Sequence, residues 1–468
     1  MTTTYDLIVI GAGAVGENVA DYATRSGLKV ALVEAELVGG ECSYWACMPS
    51  KALLMSSTAL DAAKAVGGAR EAVTGELDVQ AVLNRRDSFT SNWDDSSQAD
   101  WVSSAGIDLI RGHAVITGVK EVTIDGTVYT ATHAVAAVTG SAALLPDIPG
   151  LLDAKPWTSR EATSVKVVPS SILIVGGGVV AAEMATAYQQ LGAKVTLVAR
   201  SGLLGGQEPF AGELVGESLG ELGVDLRLGQ SPTSVLRTEH GLVETTLDDG
   251  SVVVTDEILV ATGRVPRTGD LGVENVGLTP GEWLEVDDTL LVHGTDWLYA
   301  VGDVNHRALL THQGKYQARA AGEVIAARAL GKPVQAEPWG AHVATADHAA
   351  VPQVTFTSPE VASIGLTADA AAKQGIDLKV VDYDLAALAG SSLKSDTYKG
   401  QARIVVDESR KVLVGATFVG PEVSDLLHAA TVAVVAEVPI DRLWHAVPSY
   451  PTVSEIWLRL LDAYGRPE

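Results

Sequence analysis

A glycine-rich turn stands between an apolar run and a helical pattern at the start of the sequence. Residues 5–10 read YDLIVI, and Gly11-Ala12-Gly13-Ala14-Val15-Gly16 follows directly. A helical pattern continues through Arg25, and a second apolar run at residues 29–33 ends on Glu34. Short runs rich in β-branched residues predict buried parallel strands. The segment therefore predicts a strand, turn, helix and strand of the kind that binds a dinucleotide.

Each residue type in this unit suits a bound dinucleotide. Gly11, Gly13 and Gly16 let the backbone approach a pyrophosphate, and the helix that opens at Ala14 offers unpaired N–H groups and a favourable dipole. Glu34 lies 23 residues beyond Gly11 and would accept hydrogen bonds from an adenosine ribose. A glycine turn without a ligand is the alternative, and the position of the acid disfavours it.

The same unit recurs near the middle of the chain. Residues 171–175 (SILIV) lead into Gly176-Gly177-Gly178-Val179-Val180-Ala181, a helical pattern runs to about Leu191, and residues 194–198 form the next strand. This strand ends in Ala199-Arg200-Ser201, without an acid. An arginine here can pair with a 2′-phosphate, which predicts NADPH, whereas a solvated surface charge is the alternative for Arg200.

Two dinucleotide sites predict a chain that moves hydride between a nicotinamide and a flavin. The flavin is assigned to the first site, and further strand ends bounded by glycine support this division. Residues 134–141 and 258–264 each end a strand in a Thr-Gly pair, where backbone amides can line a cofactor. Residues 297–303 end in Gly302-Asp303, and this carboxylate suits a polyol such as the ribityl chain.

Composition sets the scale and excludes several classes of partner. At ~100–200 residues per domain, 468 residues predict roughly three domains. Hydrophobic residues at 47% and charged residues at 19% indicate a globular protein rather than a disordered one. The 58 acidic residues outnumber the 33 basic ones, and the formal charge of −25 disfavours nucleic acid and anionic membranes as partners.

The pattern along the chain predicts an α/β protein with two Rossmann-like dinucleotide-binding domains and a C-terminal α+β dimerisation domain. Alternating strands and helices without a glycine fingerprint begin near residue 346, and this part suits subunit contacts. The expected domains are residues 1–150 and 271–345 for FAD, residues 151–270 for NAD(P)H, and residues 346–468 for dimerisation.

No targeting or membrane segment is expected. Met1 to Tyr5 carries no basic run, and no run of about 20 apolar residues is present for a bilayer span. We therefore expect a cytoplasmic protein with no membrane partner. In that reducing compartment a disulfide is more often catalytic than structural.

Cys42 and Cys47 are the two cysteines of the sequence. Two thiols exclude a disulfide-stapled scaffold and a multi-cysteine zinc site, and we expect no metal site. Positions five apart in a regular helix lie ~8.6 Å apart, beyond the ~7 Å limit for a disulfide, so a bonded pair requires a distorted segment. Pro49 suits the first turn of a following helix, which would place Cys47 at its N-terminus. The helix dipole and Lys51 would there favour a thiolate.

These motifs resemble those of flavoprotein disulfide reductases, the group that contains glutathione reductase, lipoamide dehydrogenase and mercuric reductase. The resemblance covers essentially the whole chain in order. It includes the first fingerprint, a GGxCxxxxCxPSK motif at Gly39 to Lys51, the second fingerprint with Glu183, an ATGRxP motif at Ala261 to Pro266, the Gly302-Asp303 pair, and Pro359-Glu360 with Gly365.

The resemblance implies roles for the residues of the redox motif. In such enzymes the second cysteine, here Cys47, contacts the flavin and forms a charge-transfer thiolate. The first cysteine, here Cys42, exchanges with the substrate. Lys51 and Glu183 correspond to the lysine and glutamate that the family holds near flavin N5.

The C-terminal signature of the family is HPTxSE, and residues 450–455 read YPTVSE here. The resemblance implies a homodimer in which Tyr450 and Glu455 reach the disulfide of the other subunit. Mercuric reductases also carry tyrosine in place of the histidine, together with a C-terminal cysteine pair that this sequence lacks. A tyrosine of pKa ~10 is a poor base at neutral pH but can still donate a proton to a thiolate, which disfavours lipoamide dehydrogenase activity. His445 is the alternative proton donor, against a surface or helix-end role.

The sequence thus predicts an FAD enzyme that uses NADPH, with NADH possible, to reduce a small disulfide through Cys42 and Cys47. A mercuric-type metal-ion reductase and a quinone reductase with a directly reacting flavin are alternatives, and a non-enzymatic flavin-bearing subunit is least favoured. The expected catalytic residues are Cys42, Cys47, Lys51, Glu183, Tyr450 and Glu455. The expected FAD contacts are Gly11, Gly13, Ala14, Gly16, Glu34, Gly40, Glu41, Lys51, Ala114, Thr139, Gly140, Ser141, Gly302 and Asp303. The expected NADPH contacts are Gly176, Gly178, Val179, Val180, Glu183, Arg200 and Gly263.

Overall fold

The structure, a computed structural model, describes residues 3–466. Its first part alternates strands and helices and then forms an antiparallel meander. The elements are β1 (Thr3–Ile10), α1 (Ala14–Arg25), β2 (Val30–Glu34), α2 (Gly40–Tyr44), α3 (Cys47–Lys64), α4 (Val79–Phe89), α5 (Ser96–Ser104), β3 (Asp108–Arg111), β4 (Ala114–Gly118), β5 (Glu121–Ile124), β6 (Thr127–Ala137) and β7 (Ser141–Ala143).

The middle of the chain repeats the strand and helix alternation and ends in a long helix. The elements are α6 (Ser159–Ser164), β8 (Ser171–Val175), α7 (Val179–Gln190), β9 (Lys194–Ala199), α8 (Pro209–Glu221), β10 (Asp225–Leu228), β11 (Pro232–Arg237), β12 (Val243–Leu247), β13 (Val252–Thr255), β14 (Glu257–Val260), β15 (Arg264–Pro266), β16 (Leu298–Ala300) and α9 (Thr311–Ala329).

The C-terminal part is built from strands with helices between and after them. The elements are β17 (Gln353–Thr355), β18 (Glu360–Gly365), α10 (Ala368–Lys373), β19 (Leu378–Asp384), α11 (Ala389–Lys394), β20 (Gln401–Asp407), β21 (Val412–Gly420), α12 (Leu427–Val435), α13 (Ile440–Leu443) and α14 (Ile456–Tyr464). None of the helices within residues 3–466 combines the length and the apolar character that crossing a bilayer requires.

One compact unit contains the residues up to Pro49, Arg86–Leu144 and Arg264–His348. Its main sheet has the strand order β3-β2-β1-β6-β5-β4, and β16 also pairs with β6. The central strand β1 pairs in parallel with β2 and β6 and buries Leu7, Ile8 and Val9 completely. The glycine turn after β1 therefore lies at the carboxyl edge of parallel strands, where sheets of this kind bind ligands.

A second compact unit contains Ser50–Arg85, Leu145–Gly263 and the chain from Ala349 onward. Its parallel sheet has the order β10-β9-β8-β14, and β11, β12 and β13 form an antiparallel sheet. The C-terminal strands form a five-stranded sheet with the order β17-β18-β21-β20-β19, antiparallel throughout. The structure contains the two predicted strand-helix-strand units, β1-α1-β2 and β8-α7-β9, and the predicted α+β segment. The predicted domain boundaries stay a prediction.

Candidate active site

The two cysteines belong to the first unit and lie on either side of a break between two helices. Cys42 is inside α2, which ends at Tyr44, and Cys47 is the first residue of α3. Between them, Trp45 leaves the helical region with φ −137° and ψ 1°. The segment is thus interrupted even with both cysteines as free thiols, whereas a distortion was predicted only for a bonded pair. The predicted helix that begins at Cys47 with Pro49 in its first turn is confirmed.

Both cysteines are thiols with partly buried side chains. A hydrogen bond to Cys47, together with burial, raises the pKa of the Cys42 thiol, and the smaller effects of Thr311 and Lys315 oppose this rise. The Sγ atom of Cys47 lies 3.3 Å from Oγ1 of Thr311. The pair therefore shares a hydrogen bond, and the loss of one proton makes the loss of the second harder.

Thr311 was not among the residues that the sequence predicted. It is the first residue of α9, a helix of 19 residues. The positive end of this helix and the threonine hydroxyl thus meet the Cys47 sulfur, and both stabilise negative charge on sulfur. The polar residues 311–315 (THQGK) at the start of this alanine-rich helix were the available signal.

The first glycine turn presents bare backbone N–H groups. Gly11 has φ +102°, and a Cβ there would lie 2.4 Å from the carbonyl oxygen of Val138. Gly13 is the N-cap of α1 and offers no side-chain cap to the first turn, which opens at Ala14. A Cβ on Gly16 would lie 1.8 Å from the carbonyl oxygen of Gly11, so the third glycine brings helix and turn together.

The carboxylate of Glu34 holds this turn in place. Its Oε2 atom accepts a hydrogen bond of 2.7 Å from the N–H of Ala12, and Oε1 accepts one of 2.8 Å from the N–H of Glu36. Burial raises the pKa of Glu34, and these backbone donors oppose the rise. Each oxygen keeps a further lone pair that a ribose hydroxyl could use.

A second polar group of the first unit surrounds Ser141. Its Oγ donates to Oδ2 of Asp303 at 2.5 Å and accepts from Nε of Arg264 at 2.5 Å. Arg267 reaches Oε1 of Glu41 at 2.8 Å. Arg264 and Arg267 were missed as site residues, although Arg264 belongs to the ATGRxP motif.

The remaining predicted FAD contacts lie in the same unit. Gly140 has φ +71° and Gly302 has φ +79°, and the N–H of Gly302 donates to Oε1 of Gln317 at 2.8 Å. Ala114 begins β4 and is buried. The Oγ1 atom of Thr139 is buried without a hydrogen-bond partner among the described residues. An orphaned hydroxyl and an uncapped helix N-terminus fit a bound phosphate-bearing cofactor such as FAD.

The second glycine turn has the same construction in the second unit. Gly176 has φ +139°, and a Cβ there would lie 2.2 Å from the carbonyl oxygen of Ala261. Gly178 is the N-cap of α7 without a side-chain cap. Val179 and Val180 in the first turn are exposed, and Gly263 follows β14 with φ +143°. These features leave room for a pyrophosphate at this turn.

Arg200 lies just beyond β9, beside the same edge of the sheet. Its side chain is exposed and makes no ion pair with another described residue. A guanidinium in this position is available to a phosphate.

Lys51 and Glu183, predicted to act together, form an ion pair in the second unit. The Nζ atom of Lys51 lies 2.7 Å from Oε2 of Glu183, whose side chain is 3% exposed. The other carboxylate oxygen accepts the N–H of Phe356 at 3.0 Å, and the Lys51 ammonium lies 4.8 Å from the centre of the Phe356 ring. The carboxylate is thus held in one orientation by α3 and by the segment before β18.

The structure does not bring Tyr450 and Glu455 together within one chain. Tyr450 is 74% exposed. Glu455 is buried, and its Oε1 accepts from Arg459 at 2.6 Å, while Oε2 has no hydrogen-bond partner among the described residues. His445 is exposed, and no described hydrogen bond joins it to Glu455. Sequence reasoning missed Arg459, which lies four residues beyond Glu455 on α14.

Two family models and several known proteins match most of the chain. Residues 5–323 match the family described as pyridine nucleotide-disulphide oxidoreductase, and residues 351–460 match its dimerisation domain. The chain is 32% identical to the mercuric reductase of Staphylococcus aureus, covering 96% of this chain and 81% of that protein. It is 31% identical to the dihydrolipoyl dehydrogenase of Halobacterium salinarum, covering 97% and 95%.

A solved structure shows the same fold. The Cu(II) complex of the HOCl-induced flavoprotein disulfide reductase RclA from Escherichia coli matches with a TM-score of 0.83 at 23% identity, over 99% of each chain. The predicted fold class is confirmed. With a family match over most of its length, the chain belongs to the pyridine nucleotide-disulphide oxidoreductases, FAD-binding enzymes that depend on a pyridine nucleotide and act on sulfur groups.

Proposed function

We propose that this protein is a homodimeric, NADPH-dependent reductase that passes two electrons through Cys42 and Cys47 to a small disulfide. The observation that carries the proposal is the break between α2 and α3, which lets the two thiols share a hydrogen bond. Cys47 also contacts the hydroxyl of Thr311. A regular helix would hold these side chains too far apart for a disulfide.

The cysteines supply the chemistry with the acceptor. Bound FAD would take a hydride equivalent from the nicotinamide and deliver two electrons to the Cys42–Cys47 disulfide. Cys42 then attacks one sulfur of the acceptor, breaks its S–S bond and forms a mixed disulfide. Cys47 attacks Cys42, which restores the Cys42–Cys47 bond and releases the second acceptor thiol. The two protons of the cysteines end on the two product thiols.

A second copy of the chain would complete proton delivery. Tyr450 is exposed and is therefore available to a group outside its own chain, whereas Glu455 is buried and keeps one oxygen without a partner among the described residues. A match to a dimerisation domain over residues 351–460 supports such a dimer. In this arrangement the tyrosine hydroxyl of one copy donates a proton to the second acceptor thiolate as it leaves the other copy's Cys42, and the tyrosine regains a proton from the Cys47 thiol, so that both cysteine protons still end on the products.

Turnover of cysteine variants tests the proposal. Wild-type protein, titrated anaerobically with NADPH, should develop long-wavelength absorbance from a thiolate beside oxidised flavin. Cys42→Ser and Cys47→Ser should lose turnover with disulfides while NADPH still reduces their flavin. Met55→Ser, at an exposed position of α3, introduces a serine while keeping both thiols and serves as the matched control. Disulfide turnover that survives in both cysteine variants would contradict the proposal.

Arg200 supports the preference for NADPH. It is exposed beside the second glycine turn, and no carboxylate follows β9 to repel a 2′-phosphate. Arg200→Ala should raise KM for NADPH at least tenfold, the effect of about 1.4 kcal/mol, and leave KM for NADH unchanged. Arg25→Ala, another exposed arginine, is the control. Equal effects on both nucleotides would remove Arg200 from the proposal.

Reduction of a metal ion is the second candidate, and Tyr450 is the observation that favours it. A tyrosine is a poor base for reactions that move a thiol proton. An acceptor whose reduction moves no thiol proton does not require a base at this position. The similarity to a mercuric reductase and to a reductase solved with Cu(II) makes Hg(II) and Cu(II) the ions to test. Tyr450→His should raise disulfide turnover if disulfides are the substrate. Faster wild-type turnover with Hg(II) or Cu(II) than with any disulfide would favour the metal ion instead.

A further inference from the structure

Three side chains from one segment contact the residues between the cysteines and the residue four positions before the first of them. The indole N–H of Trp93 donates to the carbonyl oxygen of Tyr44 at 3.2 Å. Gln98 accepts a hydrogen bond from the Tyr44 hydroxyl through Oε1 and donates through Nε2 to Oγ of Ser43 at 3.3 Å. Asp95 accepts from the N–H of Val38 at 2.7 Å. We call Trp93, Asp95 and Gln98 the clamp, and all of its contacts lie within the first unit.

The Trp93 contact replaces a partner that the break removes. A helix leaves its last carbonyl groups without N–H donors of its own. The carbonyl of Tyr44, the last residue of α2, is such a group, and Tyr44 itself is 2% exposed, so water is a poor substitute. The indole N–H therefore gives the buried carbonyl of Tyr44 a hydrogen-bond partner at the point where the helix is interrupted. This hydrogen bond stabilises the interrupted helix relative to a continuous one.

The clamp has an unusual backbone that is itself held in place. Ser91, Asn92 and Trp93 have φ values of +49°, +54° and +59°, a left-handed run that L-residues other than asparagine rarely adopt. The Arg86 guanidinium lies 5.4 Å from the centre of the Trp93 ring, and Arg86 is fully buried. This conformation directs the indole N–H of Trp93 toward the carbonyl oxygen of Tyr44.

We infer that Trp93 and Gln98 are positioning residues for the redox pair, which hold the break between α2 and α3 while Cys42 and Cys47 are thiols. The inference rests on the proposed redox role of these cysteines. A continuous helix would place them ~8.6 Å apart, so each oxidation would first have to unwind a turn. With the break already present in the dithiol, the S–S bond forms without that unwinding.

A thiol–disulfide equilibrium measures this effect directly. The flavin-loaded protein is equilibrated anaerobically with reduced and oxidised glutathione, quenched by alkylation, and its thiols are counted by mass spectrometry. In the reaction, two cysteine thiols and one glutathione disulfide give one protein disulfide and two glutathione thiols. General loss of stability does not enter this equilibrium as long as the protein stays folded, which far-ultraviolet circular dichroism checks.

Two substitutions remove the contacts with little change in shape. Trp93→Phe keeps a ring beside Arg86 and deletes the N–H donor, and Gln98→Met deletes both hydrogen bonds of the amide. Each should lower the equilibrium constant for disulfide formation about fivefold, the value of one hydrogen bond. Trp101→Phe, on exposed α5, is the matched control and should leave the constant unchanged.

A double-substitution cycle separates the clamp from a general effect. If Gln98 acts through the Tyr44 hydroxyl, Tyr44→Phe should reproduce most of the Gln98→Met effect, and the double variant should add little. This cycle also carries the test if Trp93→Phe does not fold. Constants for Gln98→Met and Tyr44→Phe that match those of wild type and Trp101→Phe would overturn the inference. A wild-type protein whose thiols do not exchange with glutathione at all would instead overturn the proposed redox role.

Discussion

Glu17 should make the protein less stable as the pH rises, and its replacement by glutamine should remove that loss. Glu17 stands in the first turn of α1, where the helix dipole favours an anion. Burial nevertheless raises the pKa of its carboxyl from 4.5 to about 7, with Lys315 opposing the rise and Glu34 adding to it. Its Oε1 atom is buried without a hydrogen-bond partner among the described residues. The charged form therefore lacks the solvation that it has in the unfolded chain.

The size and sign of the effect follow from the two pKa values. A rise from 4.5 to about 7 corresponds to ~3 kcal/mol of unfolding free energy, at ~1.4 kcal/mol per pKa unit. Below pH 4.5 the carboxyl is neutral in both states and costs nothing. Between pH 4.5 and about 7 the unfolded chain ionises first, so stability falls, and above about pH 7 the full loss is present. Glutamine does not ionise and should escape it.

Urea unfolding of the flavin-loaded protein, followed by tryptophan fluorescence at several values of pH, measures this prediction. The difference in unfolding free energy between Glu17→Gln and wild type should grow from near zero at acid pH to as much as ~3 kcal/mol at pH 8. Glu274→Gln, at an exposed carboxylate, is the control. A difference that does not change with pH, or that favours wild type at pH 8, would refute the reasoning.

Three further substitutions probe other contacts. Thr311→Val removes the hydroxyl 3.3 Å from Cys47 Sγ and should weaken the long-wavelength absorbance of the two-electron-reduced protein; an unchanged band would show that the hydroxyl does not stabilise the thiolate. Lys51→Met leaves the Glu183 carboxylate buried without its cation and should lower the unfolding free energy by ~2–3 kcal/mol. This loss is smaller than the loss for a fully buried ion pair because the Lys51 side chain is 32% exposed. Denaturant melts measure it, and a loss under ~1 kcal/mol would contradict it. Gly390→Ala puts a Cβ 2.2 Å from the carbonyl carbon of Thr452, so the segment with Tyr450 should shift and disulfide turnover should fall while NADPH still reduces the flavin. Gly220→Ala, in open space on α8, is the control for the added methyl group.

Local patterns predicted the strands and turns that bear the glycine fingerprints. The bounds of β8 agree with the predicted residues 171–175, because a short apolar run that is buried on both faces is bounded by polar residues or glycine. The break between the cysteines was also predictable, since the covalent geometry of a disulfide excludes a regular helix over residues 42–47. In both cases the structure is determined by the properties of residues that are close together in the sequence.

Contacts between distant parts of the chain were not predictable in this way. Thr311 meets Cys47 across 264 positions, and Gln98 meets Tyr44 across 54. A threonine at a helix start or a glutamine on a surface helix carries no local sign of its partner. Arg459 was missed for another reason, because an arginine four residues after a glutamate on a helix is normally a solvated pair. Only the burial of Glu455 gives this contact significance.

The glycine turn after β1 and the start of α2 touch through their backbones. Gly40 has φ +60°, and a Cβ there would lie 2.8 Å from the Cα of Gly13. A side chain at Gly40 would push the segment that carries Cys42 away from the turn, whereas a Cβ on Gly13 would lie at an ordinary 3.9 Å from Gly40. Mutagenesis libraries that vary Gly40 should therefore yield few folded members, and libraries that vary the redox motif need to keep this glycine.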